Sequence, residues 1–580
     1  MKRNSCWFRY LLLLIIPLFI IIYQRIIVKN IYCSDPDYAY ILNGLNINML
    51  KFPLYSDHPG VPLTLLAAIG IRLIYLFSGS SMDIQTDVLS NPAYYEVRLQ
   101  FILFLLIIIT AIFSGFYIYR KTKNVFLGIV IQMIPFLFST SLVISTTSFM
   151  PDAMLIIILY LFFILIIQYV ENIINNQNTA KEEWLFPILC GLALSVKIIV
   201  LPLLLLPVIL LKMNIKKILR FSIIVVLSFI VFTLPIVKQY PHMLQWFLSL
   251  FTHSGIYGKG SATIINPETY FKNILFIISN NHLMTIMMIL SLILLFFFYY
   301  LKRKGVFSVN SILYKLFIAS IITQLLSILI VSKTFEGKSY YLIVTYTLTT
   351  LSFVISAIIL IIYLKLSRLN IAIILTCFLV ISIFANRKNY KDDFLSRSMT
   401  KNECIELQQF IDSNPNYVVI TNNAFSFNKN YALLFGLAFS RVHEEKLMQL
   451  YPNVYFYNVI PGKYTNWYKE ILPEQIFKNG KALLVDNYLN DEEKANFQNK
   501  GYTIKLLFSN RTKAVYELTW SSNNPQNNTN YKALIEDKIK LIYNDEKWLN
   551  TIREKAQKKG ISLDSMVYLD AKWMIDTYGK

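Results

Sequence analysis

The stretch "GLALSVKIIVLPLLLLP" (Gly191–Pro207) sets a lysine in the middle of an apolar run. Taken as one segment, residues 185–211 would cross a membrane once. Taken as two short segments, 185–197 and 198–211, broken by Lys197 and Pro202, they cross and return. The choice decides on which side everything downstream lies, and the charges in the loops make it. A span needs about 20 mostly apolar residues. Candidates lie near 10–28, 99–119, 124–145, 153–170, 185–197, 198–211, 221–237, 283–300, 311–331, 340–363 and 370–385. With the short pair counted as two, the clusters Lys2/Arg3/Arg9, Arg120/Lys121/Lys123, Lys212/Lys216/Lys217/Arg220, Lys302/Arg303/Lys304 and Lys365/Arg368 all fall on one side, which basic-loop bias makes cytoplasmic. With the pair fused, the pattern breaks.

Composition divides the chain in the same way. Of 580 residues, 55% are hydrophobic and 15% charged, against about 25% charged in an ordinary soluble domain. Residues 1–385 hold 28 Lys/Arg and 12 Asp/Glu; residues 386–580 hold 27 and 22. A membrane domain over 1–385 is therefore expected, followed by a water-soluble region on the outer side. The formal charge of +21 sits largely in short loops beside apolar runs, so it implies a membrane and no nucleic acid. The five cysteines show no metal-binding spacing.

Nine of the twelve carboxylates in 1–385 fall on the outer side: Asp35, Asp37, Asp57, Asp83, Asp87, Glu96, Asp152, Glu268 and Glu336. Asp35, Asp37 and Asp152 lie directly against apolar runs, where ionisable groups are costly and usually functional. The first outer loop, 29–98, holds "YCSDPDYAYILNGLNI" (Tyr32–Ile47) and "YSDHPGVPLTLL" (Tyr55–Leu66). Asp35-Pro36 is a helix opener, with Asp as cap and Pro in the first turn. Val61–Phe77 is apolar but short and carries Arg72, which suits an amphipathic helix lying in the interface. Further along, "HSGIYGKGS" (His253–Ser261) brackets Tyr257 and Lys259 with glycines, a pattern open both to a plain loop and to a mobile one over a site.

These segments, in this order, resemble the polyprenyl-phosphate-sugar-dependent glycosyltransferases of the GT-C class, which include the protein O-mannosyltransferases and the lipid A aminoarabinose transferases. The family's first outer loop opens on an acidic Asp-Glu pair, continues through a (His/Lys)-Pro-Pro turn, and ends at an Arg opening the second span. Asp35 and Asp37, His58-Pro59-Gly60 and Arg98 stand in those places. "TSFMPDAMLIIILYLF" (Thr147–Phe162) resembles its Arg-Pro-Asp segment, with Asp152 as the acid. "GLALSVKIIVLPLLLLP" resembles GLAxLxKG…P, with Lys197 as the lysine, and "KSYYLIV" (Lys338–Val344) resembles RYLLP. Pro36 splits the acidic pair, Gly60 replaces a proline, Met150 an arginine and Ile198 a glycine.

The resemblance implies a polytopic α-helical membrane protein of about 11 spans with an extracytoplasmic C-terminal α/β domain. The implied activity is a hexosyl or pentosyl transferase (EC 2.4 type) in a bacterial cytoplasmic membrane, or alternatively an ER membrane, working at the cell-envelope, periplasmic face. It would move a sugar, with inversion, from a polyprenyl-phosphate donor to a glycan, lipid or protein. Such chemistry needs a base for the attacking hydroxyl and positive charge for the departing phosphate. Asp35 is the first choice of base and Asp37 the alternative, with Asp152 a further site acid. His58, Arg98, Lys197, His253, Tyr257, Lys259, Lys338 and Tyr340, with Tyr341, are the candidate contacts to phosphate and sugar. A divalent cation such as Mg or Mn is compatible, with Asp35 and Asp152 as oxygen ligands. The alternatives are a transferase or polymerase using a pyrophosphate-linked oligosaccharide, and a lipid or polysaccharide transporter.

Residues 386–520 carry strand-like runs at Tyr417–Thr421, Ala482–Asn487, Tyr502–Phe508 and Ala514–Trp520 among helical patterns near 402–413, 428–438 and 491–499. Residues 521–530 read as a polar linker and 531–580 as a tail of two or three amphipathic helices.

Overall fold

The computed structural model describes residues 4–578 apart from 27–33, 135–136, 139–147, 306–310, 336, 338, 366, 423–427, 459–462, 478–479, 512, 521–524 and 560–561. It divides into two compact units, Met1–Lys401 with Phe435–Val442, and Asn402–Leu434 with His443–Lys580. The sequence reading drew its boundary at 385/386.

The first unit is helical. Among the described residues, seven helices are long and apolar enough to cross a membrane: Val61–Ser78, Pro92–Thr122, Pro151–Ile174, Ile215–Thr252, His282–Arg303, Ser311–Ser332 and Tyr340–Leu364. Six of them overlap segments expected from hydropathy. The seventh, Val61–Ser78, is the segment expected to form an amphipathic interfacial helix, and it is a single helix of 18 residues. Its one charge, Arg72, donates from Nε to the Asn48 side chain (3.0 Å) and from an Nη to the Asn48 carbonyl (3.3 Å). The remaining expected spans take other forms. Of residues 10–28, those up to Ile26 fall in the helix Asn4–Ile26, and the last two lie outside the described residues. The segment 124–145 begins as the helix Val125–Met133 and then leaves the described residues. Residues 370–385 open the 45-residue helix Arg368–Asp412.

The Lys197 stretch is a hairpin. Helix Ala180–Val196 stops at Lys197, whose backbone is extended (φ −158°, ψ 130°). A 3-10 turn, Ile198–Leu204, and a short helix, Leu205–Leu210, follow. The direction of the return is set by its neighbour. Glu183, near the start of Ala180–Val196, pairs with Lys217 (3.2 Å) and Arg220 (3.4 Å) near the start of the helix Ile215–Thr233. Two turns on, Gly191 lies so close to Ser228 and Val225 that a Cβ would come within 2.5 Å of the Ser228 Cβ. The two helices therefore run parallel, and Ile198–Leu210 must run back between them. Pro202 and the missing helical geometry at Lys197 break the ladder at the point of reversal.

The first loop folds against this hairpin. Gly60 N–H donates to the carbonyl of Val196 (3.2 Å), which ties the His-Pro-Gly turn to the residue before Lys197. Gly60 has φ +62°, and a Cβ there would lie 2.2 Å from Tyr40 Cε1. Both facts demand glycine where the resembling family has proline, whose φ is fixed near −65°. Gly60→Ala is expected to cost about 2–4 kcal/mol, from a left-handed backbone and an overpacked contact together. Denaturation of the detergent-solubilised protein checks it; measured in a Tyr40→Ala background, the cost of Gly60→Ala should shrink by the packing part alone.

The second unit is built on a mixed sheet of seven strands among the described residues: β1 (Val418–Asn422), β2 (Val454–Asn458), β3 (Lys463–Asn466), β4 (Lys469–Ile471), β5 (Lys481–Asn487), β6 (Tyr502–Ser509) and β7 (Lys513–Trp520), in the order β4-β3-β2-β1-β5-β7-β6. β1 pairs parallel with β2 and β5, and the other pairings are antiparallel. Alternation places Ile420, Leu484 and Tyr516 on one face and Val419, Leu483, Val485 and Val515 on the other, where Leu407 and Ile411 cover them. β2 and the hairpin β3–β4 were not foreseen; the strands of the hairpin are short and polar. Three helices follow, Pro525–Asn544, Glu546–Lys559 and Leu563–Tyr578, around Ile542, Ile552, Met566 and Val567. The first of them begins within the polar stretch read as a linker.

Candidate active site

Lys197 and Asp152 form the centre. Asp152 occupies the first turn of Pro151–Ile174. Lys197 stands at the helix break, its backbone outside any helix. Lys197 Nζ donates to Asp152 Oδ2 at 2.8 Å and Oδ1 at 3.0 Å, and both side chains are buried. Burial this deep is tolerable only because each charge meets the other. The aromatic rings of Tyr341 and Tyr340 lie 4.6 and 5.2 Å from the same ammonium, within cation–π range.

The glycine-bracketed loop completes the wall. It is folded on itself: Ser254 N–H donates to the Ser261 carbonyl (3.0 Å), Gly260 N–H to the Ser254 carbonyl (2.8 Å) and Gly258 N–H to the Gly255 carbonyl (3.3 Å). This turn presents Tyr257, whose hydroxyl lies 2.7 Å from the Tyr341 hydroxyl. His58 packs edge-on against Tyr257 (centroids 5.5 Å) and Trp246 (5.1 Å). Its Nδ1 is buried with no hydrogen-bond partner.

Burial first, and the Lys197 charge second, push the His58 imidazole from 6.5 down to about 3, so the ring is neutral at ordinary pH. The unfolded chain then binds more protons between pH 6.5 and 3. This contribution to stability is complete above pH 6.5 and is lost on acidification, at a slope approaching about 1.4 kcal/mol per pH unit. Unfolding measured at pH 7 and pH 5 should show a smaller loss for His58→Gln than for the parent.

His58, Lys197, Tyr257 and Tyr341 sit at the head of a cavity of about 280 Å3, whose remaining wall is mostly apolar, with Ile198, Leu201, Leu250, Ile264, Leu329 and Val331 among its residues. Lys333 also lines it, its Nζ donating to the carbonyls of Leu250 (2.6 Å) and Phe251 (2.9 Å) at the end of the helix Tyr240–Thr252. A second, more polar cavity of about 400 Å3 lies beside Asp57, with Ser56, Gln239, His242 and Arg441 in its wall. Ser56 Oγ is 3.0 Å from His242 Nδ1. Burial raises the Asp57 carboxyl, and His242 and Lys259 oppose the shift. Consecutive residues Asp57 and His58 thus face different cavities.

The other acids divide sharply. Asp37 is fully buried, and its Oδ2 accepts from the Phe149 N–H (2.7 Å) and the Gln100 amide (3.0 Å). Gln100 also reaches Glu96 (3.4 Å), which accepts from the Tyr38 hydroxyl (3.1 Å). Asp37 therefore fastens the first loop to the chain just before Asp152. Asp35 lies in the turn Ser34–Tyr38 ahead of the helix Ala39–Asn48; its side chain, like Lys338, falls outside the described residues.

Of the other residues expected at the site, Tyr340 is brought to it. Arg98 is exposed and stacks on Tyr94 at 3.3 Å. His253 contacts the Thr252 hydroxyl (2.9 Å) and Lys259 is exposed; none of these three lines the apolar cavity. Trp246, Lys333, Glu96 and Gln100 were not foreseen. Lys333, a cation closing an apolar helix, and Glu96, one of the outer carboxylates, carried a visible signal. Asp152 gives both carboxylate oxygens to Lys197, and no three His, Cys, Asp or Glu side chains converge among the described residues.

Helices of this length and apolarity, with a strand-containing unit after them, define a multi-pass α-helical membrane protein. No family model matches the chain, and no curated protein matches it. Among solved structures it is similar to ArnT from Cupriavidus metallidurans, crystallised bound to undecaprenyl phosphate, with 12% identity, 87% of this chain and 97% of that chain covered, and a TM-score of 0.45.

Proposed function

We propose that the protein is a membrane glycosyltransferase that moves a sugar from a polyprenyl-phosphate donor to a hydroxyl of an acceptor at the outer membrane face. One observation carries the reading: an apolar cavity is headed by a buried lysine, a pair of tyrosine hydroxyls and a neutral histidine. That arrangement suits a long hydrocarbon chain ending in a phosphate. The acceptor oxygen attacks the anomeric carbon and Asp35 takes its proton. The bond from that carbon to the phosphate oxygen breaks, and the configuration inverts. Charge then grows on the departing lipid phosphate, where the Lys197 ammonium and the hydroxyls of Tyr257 and Tyr341 meet it in a site of low polarity. Asp152 holds Lys197 in place through both carboxylate oxygens. Basic loops put the opposite helix ends in the cytoplasm, and a bacterial cytoplasmic membrane is the proposed location.

The test is transfer from a polyprenyl-phosphate sugar by purified protein, with mass spectrometry of lipid extracts from cells lacking it. Accumulated lipid-phosphate sugar is the expected finding. Consumption of a pyrophosphate-linked donor only, or lipid movement without sugar transfer, would overturn the reading in favour of a polymerase or a transporter. Tyr257→Phe and Tyr341→Phe are each expected to slow turnover about tenfold to a hundredfold, the worth of one hydrogen bond to a charged group, and to lower stability by only about 1 kcal/mol through the lost hydroxyl–hydroxyl bond.

A further inference from the structure

A third cavity, of about 300 Å3, lies at the other end of the same helices. Its walls come from Pro92–Thr122, Val125–Met133, Pro151–Ile174, Ser311–Ser332 and Ile343–Leu364, with Leu127, Phe163, Val170, Leu316, Val354 and Ile358 among the lining residues. Val170 is eighteen residues along one helix from Asp152, about 27 Å at helical rise, so this cleft is remote from the candidate active site. Its only charged lining residues are Lys121 and Glu171, which pair at 2.8 Å and so cancel. Arg120 and Lys123, the flanking residues of the same helix end, are exposed and have no carboxylate partner among the described residues. The edge of an apolar cleft thus carries two uncompensated cations, and nothing acidic lines it except the carboxylate already spent on Lys121.

From this charge pattern we propose that the cleft holds an acyl chain of an anionic two-chain phospholipid, with the lipid phosphate against Arg120 and Lys123. Basic side chains at a membrane edge favour anionic lipids by about fivefold each. A zwitterionic lipid gains little of that, because its own cation meets the same pair. Lys121–Glu171 closes the mouth beneath the headgroup, and the hydrocarbon wall takes the chain.

The experiment titrates the purified full-length protein in detergent with phosphatidylglycerol and with phosphatidylcholine of the same acyl chains, counting bound lipid by native mass spectrometry. Tighter binding of phosphatidylglycerol is expected, falling about 25-fold, toward the phosphatidylcholine value, in Arg120→Gln/Lys123→Gln. Val354→Trp, which fills the cleft, should lower binding of both lipids, and Ile358→Trp serves if that variant does not fold. Glycerol phosphate should not displace the lipid, which separates a lipid site from an anion site. The titration reads lipid binding and no step of sugar transfer, so this result stands apart from the fate of the transferase reading. Equal binding of the two lipids, an unchanged preference in the double variant, or self-association that Val354→Trp blocks without any lipid preference would overturn the proposal.

Discussion

Lys197→Met is expected to remove sugar transfer and, separately, to destabilise the protein by about 3–5 kcal/mol, because it strands the Asp152 carboxylate in a buried place. The two losses have different causes, and a second substitution separates them. Lys197→Met with Asp152→Leu deletes both charges and replaces them with apolar volume. Buried pairs replaced in this way often cost nothing, so the double variant should regain most of its stability. It should regain none of its turnover, since the phosphate then meets no cation. Loss of one such charge stabiliser is expected to cost about a hundredfold to a thousandfold in kcat. Thermal unfolding and a transfer assay on the single and double variants read both quantities. A double variant that is stable and active would leave Lys197 with a purely structural role.

The second large effect distinguishes two carboxylates that are two residues apart. Asp37→Ala leaves the Phe149 N–H and the Gln100 amide without their buried acceptor, at about 1–3 kcal/mol for each group. It should therefore appear as a folding defect, with transfer lost in proportion to folded protein. Asp35→Ala is expected to leave thermal stability unchanged and to slow transfer about a hundredfold to ten-thousandfold, the range for a general base. A folded Asp35→Ala protein with normal turnover would exclude Asp35. The pH profile offers a further readout: His58 is neutral across the working range, so an acidic limb in the parent enzyme does not belong to His58.

Hydropathy and loop charge alone determined that this is a polytopic helical protein followed by a water-soluble α/β region, because burial in lipid and burial in a sheet leave different periods in the chain. The same reading drew attention to Lys197 and Asp152: a charge inside an apolar run costs too much to be incidental. Only the tertiary structure decided their partners. Asp152 and Lys197 are 45 residues apart, and Tyr257 and Tyr341 are 84 apart; no local rule pairs residues at such separations. Asp37 looked like a catalytic acid because it stood beside Asp35, yet its role in holding Phe149 depends on a loop more than a hundred residues away. Arg98 was a candidate phosphate contact through the resemblance, and its side chain stacks on Tyr94. Which residues are charged at the membrane edge is written in the chain. Which way each side chain faces follows from packing, since helix rotation and the Lys197 break are settled by contacts such as Gly191 on Ser228 and Gly60 on Tyr40.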